Sequence, residues 1–70
     1  MNRSNAIAAI RTRAERRMKD FGARIESAAA FDATGFFAAA HADRRIAELH
    51  LQEVAELISI ENHLNGVSPE

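Results

Sequence analysis

The sequence predicts an all-α fold, an αα-hairpin that dimerises into an antiparallel four-helix bundle. Three observations lead there. Two long stretches carry apolar residues at helical spacing, a compact set of turn-forming residues separates them, and alanine occupies 15 of 70 positions. Apolar residues that recur every three or four positions line one face of a helix. Alanine favours helix and leaves room for close helix–helix approach.

Helix 1 is expected over residues 5–30. Asn2 and Ser4 are its candidate N-caps, because either side chain can accept a backbone N–H left unpaired at a helix start. Its apolar stripe, Ile7, Ile10, Ala14, Met18, Phe21, Ile25 and Ala29, is narrow, about 100° of arc. Glu15–Lys19 and Asp20–Arg24 are pairs four residues apart in the favourable order. Gly22 stands inside the helix, where glycine costs about 1 kcal/mol relative to alanine; it marks either the close approach of another backbone or a tolerated imperfection.

The turn is expected over residues 31–35, Phe31-Asp32-Ala33-Thr34-Gly35. Asp32 and Thr34 can each cap a following helix, and Gly35 admits dihedrals that other residues avoid.

Helix 2 is expected over residues 36–64. Phe36, Ala39, Ala40, Ile46, Ala47, Leu49, Leu51, Val54, Leu57, Ile58, Ile60 and Leu64 spread over about 200° of arc. Helix 1 can cover part of so wide a face; a second molecule is expected to cover the rest. Self-association is assigned to Phe36, Ile46, Leu49, Val54, Leu57, Ile60 and Leu64. Asn65-Gly66 ends the helix and Pro69 bars its continuation, leaving residues 65–70 as a loose tail.

The same spacing admits one continuous helix in a coiled-coil oligomer. Ala14, Ile25, Phe36, Ala47 and Ile58 recur at 11-residue intervals, as do Ile7, Met18, Ala29, Ala40 and Leu51. That period suits a right-handed supercoil. A third series, Ile10, Phe21, Asp32, Asp43 and Val54, breaks twice; Asp32 in the seam of a continuous coil would be an expensive charge, and Asp32, Thr34 and Gly35 cluster where a hairpin loop is expected, so the hairpin is preferred.

Size and composition restrict the function. One small domain is the most that 70 residues provide, and so short a chain rarely builds an adequate core without disulfides, metal or association. The absence of cysteine excludes disulfides and thiolate metal sites. No apolar run reaches the roughly 18 residues of a membrane span, and the first residues lack the apolar core of a secretory signal. A cytoplasmic location is expected. Net charge is −1, yet residues 1–24 hold seven bases and two acids, +5, and the remainder two bases and eight acids, −6. A basic segment can attract a polyanion or lie against an acidic helix.

No enzyme is expected. Cysteine and tyrosine are absent, Ser27 and Ser59 have no base on the same helical face, and the glycines are scattered. Asp43, His50 and Glu61 form a polar row inside the apolar arc of helix 2. The row suggests a buried polar or metal site, or groups satisfied by Arg17 or Arg24 of helix 1 that set the register. The Glu-x-x-His order of metal-binding bundles does not occur, so no metal or other cofactor is assigned. His41 and His63 fall on the polar side and read as solvated.

Arg13, Arg16, Arg17 and Arg24 share one side of helix 1, where arginine forks could hold the phosphates of RNA or DNA. Asp20 lies within the patch and no tryptophan or tyrosine is available for base stacking. A solvated face, or one paired with Glu48, Glu53 or Glu56, is the alternative. Phe37, just outside the core arc, is a candidate anchor for a protein partner or, with Phe31, a cover for the turn. Helix 1 is also basic and amphipathic, but a membrane-surface role is disfavoured by its thin, alanine-diluted stripe.

In length, hairpin organisation and short acidic turn, the chain resembles the plasmid RNA-binding protein Rop. The resemblance implies an RNA-binding dimer. No motif aligns, so no residue role carries over. The expected function is a non-enzymatic helical interaction module, a regulator, adaptor or inhibitor that occupies a macromolecular surface, with a protein partner and a homodimer. Nucleic-acid binding through the basic face of helix 1 is the alternative, and a metal-binding bundle the third.

Overall fold

A computed structural model describes residues 2–66. It contains helix α1, Arg3–Ala33, and helix α2, Phe37–Leu64. The two pack side by side as an antiparallel hairpin, with principal extents of 49 × 25 × 12 Å. The continuous helix is thereby replaced: the chain reverses at Thr34–Phe36 despite the unbroken 11-residue apolar period.

Local chemistry explains the reversal. Thr34 is the C-cap of α1, and Gly35 takes φ +83°, the left-handed region glycine enters without a Cβ penalty. The Gly35 N–H donates to Asp32 O at 3.2 Å, and the Phe36 N–H donates to Phe31 O at 2.9 Å. This is the Schellman pattern, which satisfies carbonyls left over at a helix end. Its usual apolar contact is present too: the Phe31 and Phe36 rings meet edge to face at 6.3 Å.

Several expectations at the turn are corrected by this arrangement. Neither Asp32 nor Thr34 caps α2, whose N-cap is Phe36 with no side-chain hydrogen bond. Asp32 instead remains within α1 and pairs with Arg44, 2.7 Å away. The Thr34 hydroxyl donates backwards, to Ala30 O and Phe31 O. Phe36 covers Phe31 at the tip and does not enter the core, and the turn is shorter than the expected 31–35. At the other ends, Asn2 is the N-cap of α1, its Oδ1 accepting from the Asn5 N–H at 2.9 Å. Asn65 and Gly66, the latter at φ +77°, close α2 as expected. The tail assigned to Val67–Glu70 lies outside the described residues.

The seam between the helices is narrow and built from small residues. Among the described residues the buried apolar groups are Ala28, Ala40, Ala47, Val54 and Leu57, and no large side chain is fully buried. Asp43 is the one buried charged residue among those described. Helix α1 is rotated relative to its apolar stripe. It turns Ala28 inward and half-buries Ile7, Ile10, Ala14, Arg17 and Phe21, while Met18, Ile25 and Ala29, expected within the stripe, stay exposed. No atom lies within 4 Å of a Cβ built on Gly22, so α2 is not the close neighbour that glycine would admit.

Candidate interaction surface

Charged pairs, together with the small apolar residues, fix how the helices sit against each other. Arg11 Nε reaches Glu61 Oε1 at 2.6 Å, Arg17 Nε reaches Glu53 Oε2 at 2.7 Å, and Arg24 Nη1 reaches Asp43 Oδ1 at 2.9 Å. Each joins a base of α1 to an acid of α2, which is how the opposite charges of the two segments are used. Arg17 also holds Asp20 within α1 at 3.0 Å.

The polar row is thus distributed along this ladder. Arg24 meets Asp43 through Oδ1, whereas Glu61 is met by Arg11 and not by Arg17 or Arg24. The Ser27 hydroxyl and the Arg24 guanidinium hold the Asp43 carboxyl below its ordinary value of 3.8, outweighing burial, which acts to raise it. Asp43 Oδ2 is buried without a hydrogen-bond partner. His50 is half-buried and borders a shallow concavity with Asp20, Ala23, Arg24 and Ser27. Among the described residues no three His, Asp or Glu side chains gather as a metal ion requires. His41 and His63 are exposed.

A two-helix slab has two broad faces, and here they differ. One carries Arg13, Arg16, Arg17, Asp20 and Arg24 of α1. Arg13 and Arg16 line a concavity with Ala9, Ile10 and Leu57. Leu49 and Ile60 belong to the same flank of α2, standing four residues before Glu53 and three after Leu57. Arg17 and Arg24 are engaged by carboxylates, whereas Arg13 and Arg16 form no ion pair among the described residues.

The opposite face is apolar and draws on both helices. Ile58 lies there, in a concavity with Ile10, Arg11, Ala14, Glu15 and Glu61. Leu51 precedes it by two turns, Met18 follows Ala14 by one, and Ile25 follows Met18 by two. Met18, Ile25, Leu51 and Ile58 retain 44%, 42%, 46% and 50% of their surface exposed.

The residues assigned to self-association divide accordingly. Val54 and Leu57 are buried against α1, Ile46 and Leu64 are half-buried, and Phe36, Leu49 and Ile60 are exposed. Phe37 is exposed beside the turn and is not the ring that meets Phe31. Met18 and Ile25 belong to the apolar stripe of helix 1 and Leu51 and Ile58 to the wide arc of helix 2, and helical spacing does not say which of these positions the hairpin leaves open. Only the rotation of α1 shows that they share one open face.

Among the described residues, no helix is long and apolar enough to cross a membrane. No protein-family model, no curated protein and no solved structure matches the chain.

Proposed function

We propose that this protein is a non-enzymatic interaction module, a small regulator, adaptor or inhibitor that works by occupying the surface of another protein. The observation that carries this reading is the amount of large apolar surface left open on a hairpin whose own seam is mostly alanine, with Phe37, Leu49, Leu51, Ile58 and Ile60 all exposed. Leu49 and Ile60 stand together on one face and Leu51 and Ile58 on the other, and apolar groups clustered in the open in this way mark interaction surfaces.

The partner contacts the arginine-bearing face. Arg13 and Arg16 supply unpaired positive charge there, and Leu49 and Ile60 supply apolar anchors beside it. This combination suits a protein surface that is both acidic and apolar. Nucleic acid is less well served. Arg17 and Arg24 are already neutralised by Glu53, Asp20 and Asp43, and the aromatic side chains stand elsewhere, at the seam and the turn.

The test is capture of partners from the native source by wild type and by two double variants, Arg13→Glu with Arg16→Glu and Leu49→Ala with Ile60→Ala. A protein captured by wild type and lost with both variants supports the reading. Capture that depends on the arginines alone, disappears with nuclease and is matched by salt-sensitive heparin retention would transfer the function to nucleic-acid binding.

A further inference from the structure

We propose that the opposite face, built on Met18, Ile25, Leu51 and Ile58, is the docking surface for a second copy of this chain, so that two hairpins stack face to face into a four-helix bundle. This inference rests on the interaction-module reading and assigns its self-association to different residues from those the apolar arc of α2 suggests.

Three observations select the occupant. The first is need. The described core contains three alanines, one valine and one leucine, with no large side chain fully buried, and a hairpin this small is poorly stabilised by so thin a seam. A surface required for folding must be covered whenever the chain is folded, and a second copy is the one partner always present in equal amount. The second is area. A slab 49 Å long and 25 Å wide can supply the roughly 800 Å² per partner that a standard interface buries.

The third is the layout of the face. The Arg17–Glu53 ion pair sets the register, so Met18, next to Arg17, is level with Leu51, two residues before Glu53. That pair lies near the middle of the hairpin, with Ile58 towards the open end and Ile25 towards the turn. A two-fold axis through the Met18–Leu51 level returns the same apolar layer on the partner, as an isologous interface requires. Of the charged residues bordering this face, Arg11 and Arg44 are already paired with Glu61 and Asp32, Glu15 stands at its rim, and its apolar residues come from α1 and α2 alike. On the arginine-bearing face the large exposed aliphatic residues come from α2 alone. The stripe of α1 makes the same point: the Met18–Ile25–Ala29 edge that the hairpin leaves open becomes buried once a second hairpin lies over it.

The experiment combines sedimentation with face-specific variants. Wild type is expected to sediment at twice 7.7 kDa. Leu51→Glu and Ile58→Glu are expected to weaken self-association by about tenfold or more, whereas Leu49→Glu and Ile60→Glu leave it unchanged. To separate lost association from lost folding in the glutamate variants of the apolar face, a second measurement uses the absence of native cysteine. Met18→Cys should be joined to its counterpart by a short bis-maleimide, and Leu49→Cys should not. A folded wild-type monomer at the highest concentration reached overturns the proposal, as does cross-linking through Leu49→Cys in preference to Met18→Cys. A monomer that still captures a partner through Arg13 and Arg16 overturns this interface alone and leaves the broader function standing.

Discussion

Arg24 of α1 places its guanidinium 2.9 Å from the carboxylate of Asp43, the one charged residue buried among those described. Asp43 shares the inward face of α2 with Ala40 and Ala47, so a charge occupies a position that spacing alone assigns to an apolar residue. Its neighbours make that tolerable: Ser27 and Arg24 both favour the ionised form.

Acid should therefore loosen the hairpin. The folded-state pKa of Asp43 lies below its ordinary value of 3.8, so ionised Asp43 contributes stability that is complete above that value. The contribution is lost as pH falls through the lowered folded-state value. Urea midpoints measured at descending pH should show this loss in wild type and not in Asp43→Ala. The two partners should also respond unequally. Arg24→Ala leaves a buried carboxylate without its counter-ion, whereas Asp43→Ala leaves an arginine that water can reach, so Arg24→Ala should be the more destabilising.

Gly35→Ala should cost about 1–2 kcal/mol, the penalty for an L-residue in the left-handed region. Nothing lies within 4 Å of the added Cβ, so the cost is one of backbone conformation and not of crowding. Chemical denaturation of the two proteins measures it. An unchanged midpoint would mean that the Schellman turn is not the conformation in solution.

Adjacent phenylalanines at the turn should behave differently. Phe36→Ala removes the edge-to-face partner of Phe31 and should destabilise by about 0.5–1.5 kcal/mol. Phe37→Ala removes an exposed ring and should stay within about 0.5 kcal/mol. Thermal melts of the two single variants decide the order.

Ala47→Leu tests the closeness of the helices. Ala40 and Ala47 are essentially inaccessible, and inserting a larger side chain into such a seam should cost about 1–3 kcal/mol. Unfolding by urea reads the loss. Full tolerance would show that the helices lie further apart than described.

Much of this architecture is legible before any coordinates. Helical spacing and the Asp32–Gly35 cluster point to two helices and a reversal, and Asn2 and Asn65-Gly66 mark their outer ends. The chemistry of the reversal is not legible. Asp32 and Thr34 have the composition of N-caps, but a glycine in the left-handed region lets the end of α1 close on its own carbonyls, and that closure consumes the residues available to α2. The facing of α1 is hidden for a related reason. Apolar spacing locates a stripe without saying which of its edges meets the neighbouring helix. In the fold, Ala28 turns inward and Arg17 and Arg24 sit against Glu53 and Asp43, with Met18 and Ile25 outward. The polar row on α2 was visible as spacing, but its partners could be named only once the register between the helices was known.

The antiparallel pairing of Arg11 with Glu61 brings the beginning and the end of the described chain to a common side, with Gly35 at the far pole. A tag or tether attached near either extremity would leave from that side and keep clear of the tip. Probes, surface immobilisation and fusions can therefore be joined there with the arginine-bearing flank still accessible.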